Sequence, residues 1–296
     1  IMKGRGSVIG KVACTIILQA IIINASAQTA ADSSFVKDST VTVEKAKTHS
    51  LYAGTGFGSN MVYLGTTISN DSPFGYASVS YGFKDHLYLS VTGYTLSGFN
   101  PFLAYYSLGL SFNHTFNSWF DVGLSLSRYN VTESLEDTLF SSFTYSNATL
   151  GFDWRILYTQ ISAGGLFAED SWFYLQARNS RYFETPSFAG DKAFFSFDPY
   201  VNLIFGTIYT AKTTEDTTTS SSPGHGGWQR PPQGSSTSYS ERFGLMEMDF
   251  GLPIAFSYDF FTFEVEPGYV LPLSSDAGTT GTKGFIFLAS AFFRIF

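Results

Sequence analysis

Pro73-Phe-Gly-Tyr-Ala-Ser-Val-Ser-Tyr-Gly-Phe83, Lys84-Asp85-His86 and Leu87-Tyr-Leu-Ser-Val-Thr-Gly-Tyr-Thr-Leu96, read in succession, decide the fold. Turning the chain at Lys84–His86 and pairing Phe83 with Leu87 sets Tyr81 opposite Leu89 and Val79 opposite Val91 on one face. The other face then pairs Ser80 with Ser90 and Ser78 with Thr92. Side chains alternate across a strand, so a single register that sorts both segments at once specifies a hairpin with one apolar and one polar face.

The pattern repeats outward from this hairpin. A turn at Asn117-Ser118-Trp119 places Phe112 across from Leu124 and Leu110 across from Leu126, with Ser111, Asn113, Gly123 and Ser125 on the opposite face. Trp119 and Phe120 at that turn fit an interfacial aromatic girdle. Alternating segments of about ten residues, separated by turns, are the signature of a transmembrane antiparallel β-barrel. Leu51 to Phe296 divides into about twelve such strands, with ten to fourteen compatible and an even number favoured. Glu169-Asp170 reads as a further turn, Gly58-Ser59-Asn60 as a break after the first strand, and Ser180–Lys192 as longer than a usual short turn.

Composition agrees. Aromatic residues make up 18% of the chain, with 31 Phe and 18 Tyr, and charged residues only 14%, against about 25% charged in ordinary soluble domains. No run of 18 apolar residues occurs that would place the missing charge in a membrane helix. A soluble β-sandwich would need a charged outer face, and here that face reads Phe, Leu and Val. Every backbone N–H and C=O must be paired inside lipid, which a closed sheet achieves without a free edge.

The beginning of the chain reads as an export signal, residues 1–27. Lys3, Arg5 and Lys11 precede the apolar stretch Val12–Ile23, and Ala25-Ser26-Ala27 supplies a small-x-small cleavage site. Cleavage there removes Cys14, the single cysteine, and leaves a net charge of −10, which argues against nucleic acid as a partner. Residues 28–49 read as a periplasmic lead-in and 50–296 as the barrel. Short turns near Lys84, Asn117, Arg155 and Tyr258 are assigned to the periplasm. The longer connections Val131–Phe140, Ser274–Lys283 and Ala211–Arg242 are assigned to the outside, the last as a disordered loop of Thr, Ser, Gly and Pro.

With the signal, the alternating segments and the terminal aromatic residue together, the chain resembles the Gram-negative outer-membrane β-barrel proteins. The resemblance implies an outer-membrane location, lipid around the barrel, and a terminal signal read by the barrel-assembly machinery. Phe296, Phe292 and Leu288 match that signal, whereas Ser290 and Arg294 depart from it. The resemblance implies no substrate.

The most distinctive polar constellation is acidic. Pairing Phe256 with Phe261 around Tyr258-Asp259 also pairs Ile254 with Phe263 and Leu252 with Val265, all facing lipid. The opposite parity holds Glu247, Asp249, Gly251 and Pro253 on one strand and Thr262, Glu264 and Glu266 on the other. Asp121, Asp153 and Asp198 also have inward parity, with Arg178 as their basic counterpart. Such carboxylates either knit a polar interior together or set a negative potential that concentrates cations. Tyr88, Tyr94, Tyr158, Tyr174 and Tyr200 line the same interior, as space-fillers or as platforms for sugars or nucleosides.

His49, His86, His114 and His225 are scattered among lead-in, turns and loop, with no metal-ligand spacing, and no cofactor is expected. His114 and the Asp85-His86 pair lie beside short turns, away from the outer rim where barrel hydrolases and proteases work. The expected function is a narrow channel or small-solute transporter with an acidic lumen, small cationic solutes being its candidate cargo. The alternatives are a non-conducting binding barrel that works through its outer loops and, third, a lipid-modifying hydrolase.

Overall fold

A computed structural model describes residues 48–63, 66–67, 69, 71–135, 141–168, 171–214, 236–273 and 283–296. The export signal, almost all of the lead-in, the Glu169-Asp170 turn, His225 and most of the two longest outer connections lie outside the described residues.

Alternation produces a closed barrel. β1 (His49–Gly58) is followed by a small hairpin of β2 (Val62–Tyr63) and β3 (Thr66–Thr67). β4 (Phe74–Phe83), β5 (Leu87–Leu96), β6 (Tyr105–Asn117), β7 (Phe120–Val131), β8 (Phe143–Asp153) and β9 (Tyr158–Phe167) then run up and down. Three interrupted staves follow: β10 (Ser171–Ser180) with β11 (Phe183–Glu184), β12 (Ala193–Phe197) with β13 (Tyr200–Thr214), and β14 (Ser236–Gly251) with β15 (Ile254–Tyr258). β16 (Phe261–Pro272) and β17 (Gly284–Arg294) complete the wall, and β17 pairs back onto β1. The result is twelve antiparallel staves without a free edge around the belt.

The interruptions have a covalent cause. Pro199 and Pro253 carry no N–H and break their ladders at neighbouring points, where Asp198 N–H instead donates to the Pro253 carbonyl at 3.1 Å. Leu252 N–H similarly donates to the carbonyl of Pro267 at 3.0 Å, on the next stave. This line of prolines lets the staves bend while their inward parity continues.

The first two hairpins have the register expected from sequence. Tyr81 faces Leu89, Val79 faces Val91, Phe112 faces Leu124, and Leu110 faces Leu126. Val79, Leu89 and Val91 are more than half exposed, whereas Ser80, Ser90 and Thr92 are at most 3% exposed. The third hairpin corrects the expectation: Phe256 pairs with Phe263, Ile254 with Val265, and Tyr258 with Phe261. The turn is two residues tighter, with Asp259 in the left-handed region at φ 51°. A shift of two residues leaves each side chain on its own face, so the inward assignment of the carboxylates stands. Residues 211–214 and 236–242, expected as loop, also prove to be ladder, because β13 and β14 support each other beyond the barrel's mean height.

Aromatic side chains cross the interior over glycines. On β1 the inward row is Gly54, Gly56 and Gly58, and the rings of Phe292, Tyr76 and Phe74 lie against those three positions. A Cβ at Gly56 would stand 2.4 Å from Tyr76 Cε1 and 2.7 Å from the Ala289 carbonyl oxygen. Gly56→Val is therefore expected to lower stability by about 1–3 kcal/mol through overpacking. A urea titration followed by the heat-modifiable gel shift measures this, and an unchanged midpoint would show that Tyr76 leaves the glycine freely.

Candidate lumenal site

Four adjacent staves build the acidic wall. Parity turns Arg178 on β10, Tyr200 and Asn202 on β13, Glu247 and Asp249 on β14, and Glu264 and Glu266 on β16 toward the interior. Asp198 joins them from the proline break. Register then sets their neighbours: Asn202 lies between Arg178 and Asp249, Glu247 faces Ile204 and Pro272, and Glu264 faces Ala255 and Ser290. A bulge at Ile204/Phe205 adds Met246 to β14, and its sulfur lies over Gly206.

The wall is organised around Tyr200. Its ring lies over Gly251, where a Cβ would meet ring carbon Cε1 at 2.3 Å. The guanidinium carbon of Arg178 sits 3.6 Å from the ring centroid, a cation–π contact. Asn202 Nδ2 donates to Asp249 Oδ2 at 3.0 Å. Arg178 is within electrostatic reach of Glu264 and Glu266. All five carboxylates are at most 6% exposed, and Arg178 is the one basic side chain buried with them among the described residues. Both carboxylate oxygens of Glu266 and Oε1 of Glu264 are buried without a hydrogen-bond partner among the described residues. Buried like charge on this scale costs several kcal/mol per ion unless something positive, a proton or water offsets it.

Above this wall, toward the long-loop end, the interior is aromatic. Tyr94 stacks on Tyr105 at 4.4 Å between ring centroids, and Tyr129 stacks on Phe143 at 4.7 Å. The hydroxyls of Tyr145 and Tyr174 bond to each other over Gly164, and Tyr174 also donates to Asn147 Oδ1 at 3.1 Å. Tyr76 reaches across β1 to donate to Ser290 Oγ at 2.8 Å. Tyr94, Tyr105 and Tyr129 are each 1% exposed, so the rings are buried against one another.

The β2–β3 hairpin folds into this layer as a plug. Met61 is buried among the tyrosines, and its sulfur accepts the Tyr105 hydroxyl at 3.1 Å. Val62 packs with Tyr200, Val270 and Ile286, so the hairpin joins the tyrosine layer to the top of the acidic wall. Ser69 locks its base: Met61 N–H donates to Ser69 Oγ at 2.9 Å, and Ser69 Oγ donates to Asn60 Oδ1 at 2.7 Å. Leu135, from the short 3-10 helix Glu133–Leu135, caps the same layer.

Outside, the wall is a belt of Leu, Val, Phe and Ala. Trp119, Phe116, Trp154 and Ile156 are exposed at the short-turn rim, and Phe102, Phe173 and Phe285 near the other end. A polar, packed interior inside an apolar exterior inverts the distribution of a water-soluble fold. The chain is a transmembrane β-barrel.

The barrel's sequence matches no protein-family model and no curated protein. Among solved structures, a KdgM porin aligns over 82% of this chain and 98% of its own at 8% identity, with a TM-score of 0.46. LpxR from Salmonella typhimurium aligns over 82% of this chain and 99% of its own at 10% identity, with a TM-score of 0.47. An outer membrane channel from Pseudomonas putida F1 aligns over 88% of this chain and 100% of its own at 10% identity, with a TM-score of 0.47. These are likenesses of scaffold, and no residue role is carried over from them.

Of the residues singled out in sequence, Glu247, Asp249, Glu264, Glu266, Asp198 and Arg178 come together on one stretch of barrel wall. Asp121 and Asp153 do not join them: Asp121 accepts the Tyr158 hydroxyl at 3.0 Å, and Asp153 accepts the Arg155 N–H at the turn. Leu288 and Phe292 point into the barrel, while the lipid row of β17 is Phe285, Phe287, Ala289, Ala291 and Phe293. Phe296 is exposed beyond the last strand. Among the described residues no three His, Cys, Asp or Glu side chains converge as a metal ion requires. Sequence reasoning missed Tyr76, Tyr105, Tyr129 and Tyr145, although the first three share the parity of inward serines on their strands and Tyr145 that of Asn147 and Thr149. The plug residues Met61, Val62 and Ser69 carried no such signal, because they lie outside any alternating segment.

Proposed function

We propose that the protein is an outer-membrane barrel that passes small cations or cationic solutes through an acidic lumen, with the β2–β3 hairpin holding the passage shut. The observation that carries this reading is the charge of one wall: among the described residues, five buried inward carboxylates stand against the one guanidinium buried with them, that of Arg178. In a narrow, low-dielectric lumen such a wall attracts cations and repels anions before any specific contact forms. The apolar exterior and the export signal read in the sequence support the location.

Planar-bilayer recording on the refolded full chain tests it. Conductance should be cation-selective. Neutralising the strip together (Glu247→Gln, Asp249→Asn, Glu264→Gln, Glu266→Gln) should move the reversal potential in a salt gradient toward zero. The shift should be larger at low salt, since the screening length falls from about 30 Å at 0.01 M to about 10 Å at 0.1 M. Anion selectivity, or a mutant with full cation preference, would overturn the reading.

One observation favours a second reading. The tyrosine layer and plug fill the mouth with side chains as buried as a soluble core, which suits a barrel that binds through its outer loops and does not conduct. Silence in the bilayer from both the wild type and a plug variant would select it.

A further inference from the structure

Among the described side chains, the outward rows of the staves are free of charge with one exception. Among the described side chains of those rows, Arg128 on β7 is the single Asp, Glu, Lys or Arg. It is exposed, follows Leu124 and Leu126 on the same face, and lies three residues before β7 ends at Val131, near the long-loop rim. Arg128 Nη1 donates to Thr144 Oγ1 on β8 at 3.2 Å, which lays the guanidinium along the barrel surface. Outward Asn130 and Tyr106, paired across β7 and β6, stand just above it toward the rim.

An arginine on the lipid face costs about 2–4 kcal/mol at mid-membrane and about 0–1 near the interface. Its place three residues before the end of β7 sets Arg128 at headgroup level. Beneath it on β8 and β9 the outward side chains are small: Thr144, Ser146, Ala148 and Ala163. Leu124 and Leu126 border this strip on one side, and Phe167 and Phe173, in edge-on contact, border it on the other. The strip is a shallow trough of small side chains walled by Leu and Phe, and Arg128 stands at its head.

We propose that this trough is a binding site for a phosphorylated lipid. The acyl chain lies along Ser146, Ala148 and Ala163, and the headgroup phosphate pairs with Arg128. Guanidinium matches phosphate oxygens in a two-point geometry that lysine cannot reproduce, and Asn130 and the Tyr106 hydroxyl lie within the same headgroup zone. The proposal is independent of whether the lumen conducts.

The test uses the refolded full chain in a neutral detergent, with bound lipid counted by native mass spectrometry. Phosphatidic acid should be retained by the wild type at least about tenfold better than by Arg128→Gln, the loss expected of one charge-assisted phosphate pair. Arg128→Lys should fall between them, and diacylglycerol with the same chains should bind all three equally weakly. Removing a lipid-facing charge leaves folding intact, so Arg128→Gln should unfold in urea at or above the wild-type midpoint in detergent alone. Equal retention by wild type and Arg128→Gln overturns the site. Equal retention of diacylglycerol, or displacement of the lipid by millimolar inorganic phosphate, also overturns it, the latter because the site would then be one for free anions.

Discussion

Met61→Ser combined with Val62→Ser is expected to raise the time the barrel spends open by about tenfold or more in planar-bilayer recording. Full burial of one such side chain contributes about 1.5–3 kcal/mol. Both are almost completely buried, Met61 among the tyrosines and Val62 against Tyr200, Val270 and Ile286. Ordering the hairpin costs part of this gain, and about 1.4 kcal/mol of what remains is a factor of ten in the open–closed ratio. The substitutions leave the hairpin's length and its Ser69–Asn60 lock unchanged, so an effect reports on the apolar contacts of Met61 and Val62. An opening frequency equal to that of the wild type would show that the hairpin is ornament to a lumen closed by the tyrosines themselves.

Arg178→Leu should have the largest effect on stability, about 3–5 kcal/mol, the usual result of removing one side of a buried charge arrangement. Among the described residues the guanidinium is the one buried base beside five carboxylates, and its stacking on Tyr200 goes with it. Glu266→Gln alone should be neutral or stabilising, because it removes charge from an overcharged wall. The double variant should recover part of the loss, a non-additivity expected of groups that act on one another. Urea unfolding of refolded barrel, read by the heat-modifiable gel shift, measures all three. A full-strength Arg178→Leu barrel, or strictly additive effects, would show that water in the lumen already screens the wall.

Sequence and structure agree where parity alone decides. Ser80 facing Ser90 and Val79 facing Val91 were legible because alternation is a property of each strand, and lipid outside with polar groups inside demands it at every step. The same logic brought Glu247, Asp249, Glu264 and Glu266 to the interior despite a hairpin register misjudged by two residues, since such a slip preserves the face. Register itself was less legible: the tightness of the turn at Asp259 depends on a backbone angle that Phe, Tyr and Asp do not announce.

What the sequence by itself determined is therefore the barrel, its approximate strand number and its two faces. Only the tertiary structure decided that Arg178 stacks on Tyr200 beside Asn202 and Asp249, that aromatic rings cross neighbouring glycines, and that Met61 and Val62 enter the lumen. The physical reason is the range of the forces concerned. Alternation is imposed residue by residue by the two solvents on either side of the wall. The filling of the lumen depends on which side chains meet across closed staves and on a loop whose apolar residues find cover only once the barrel exists.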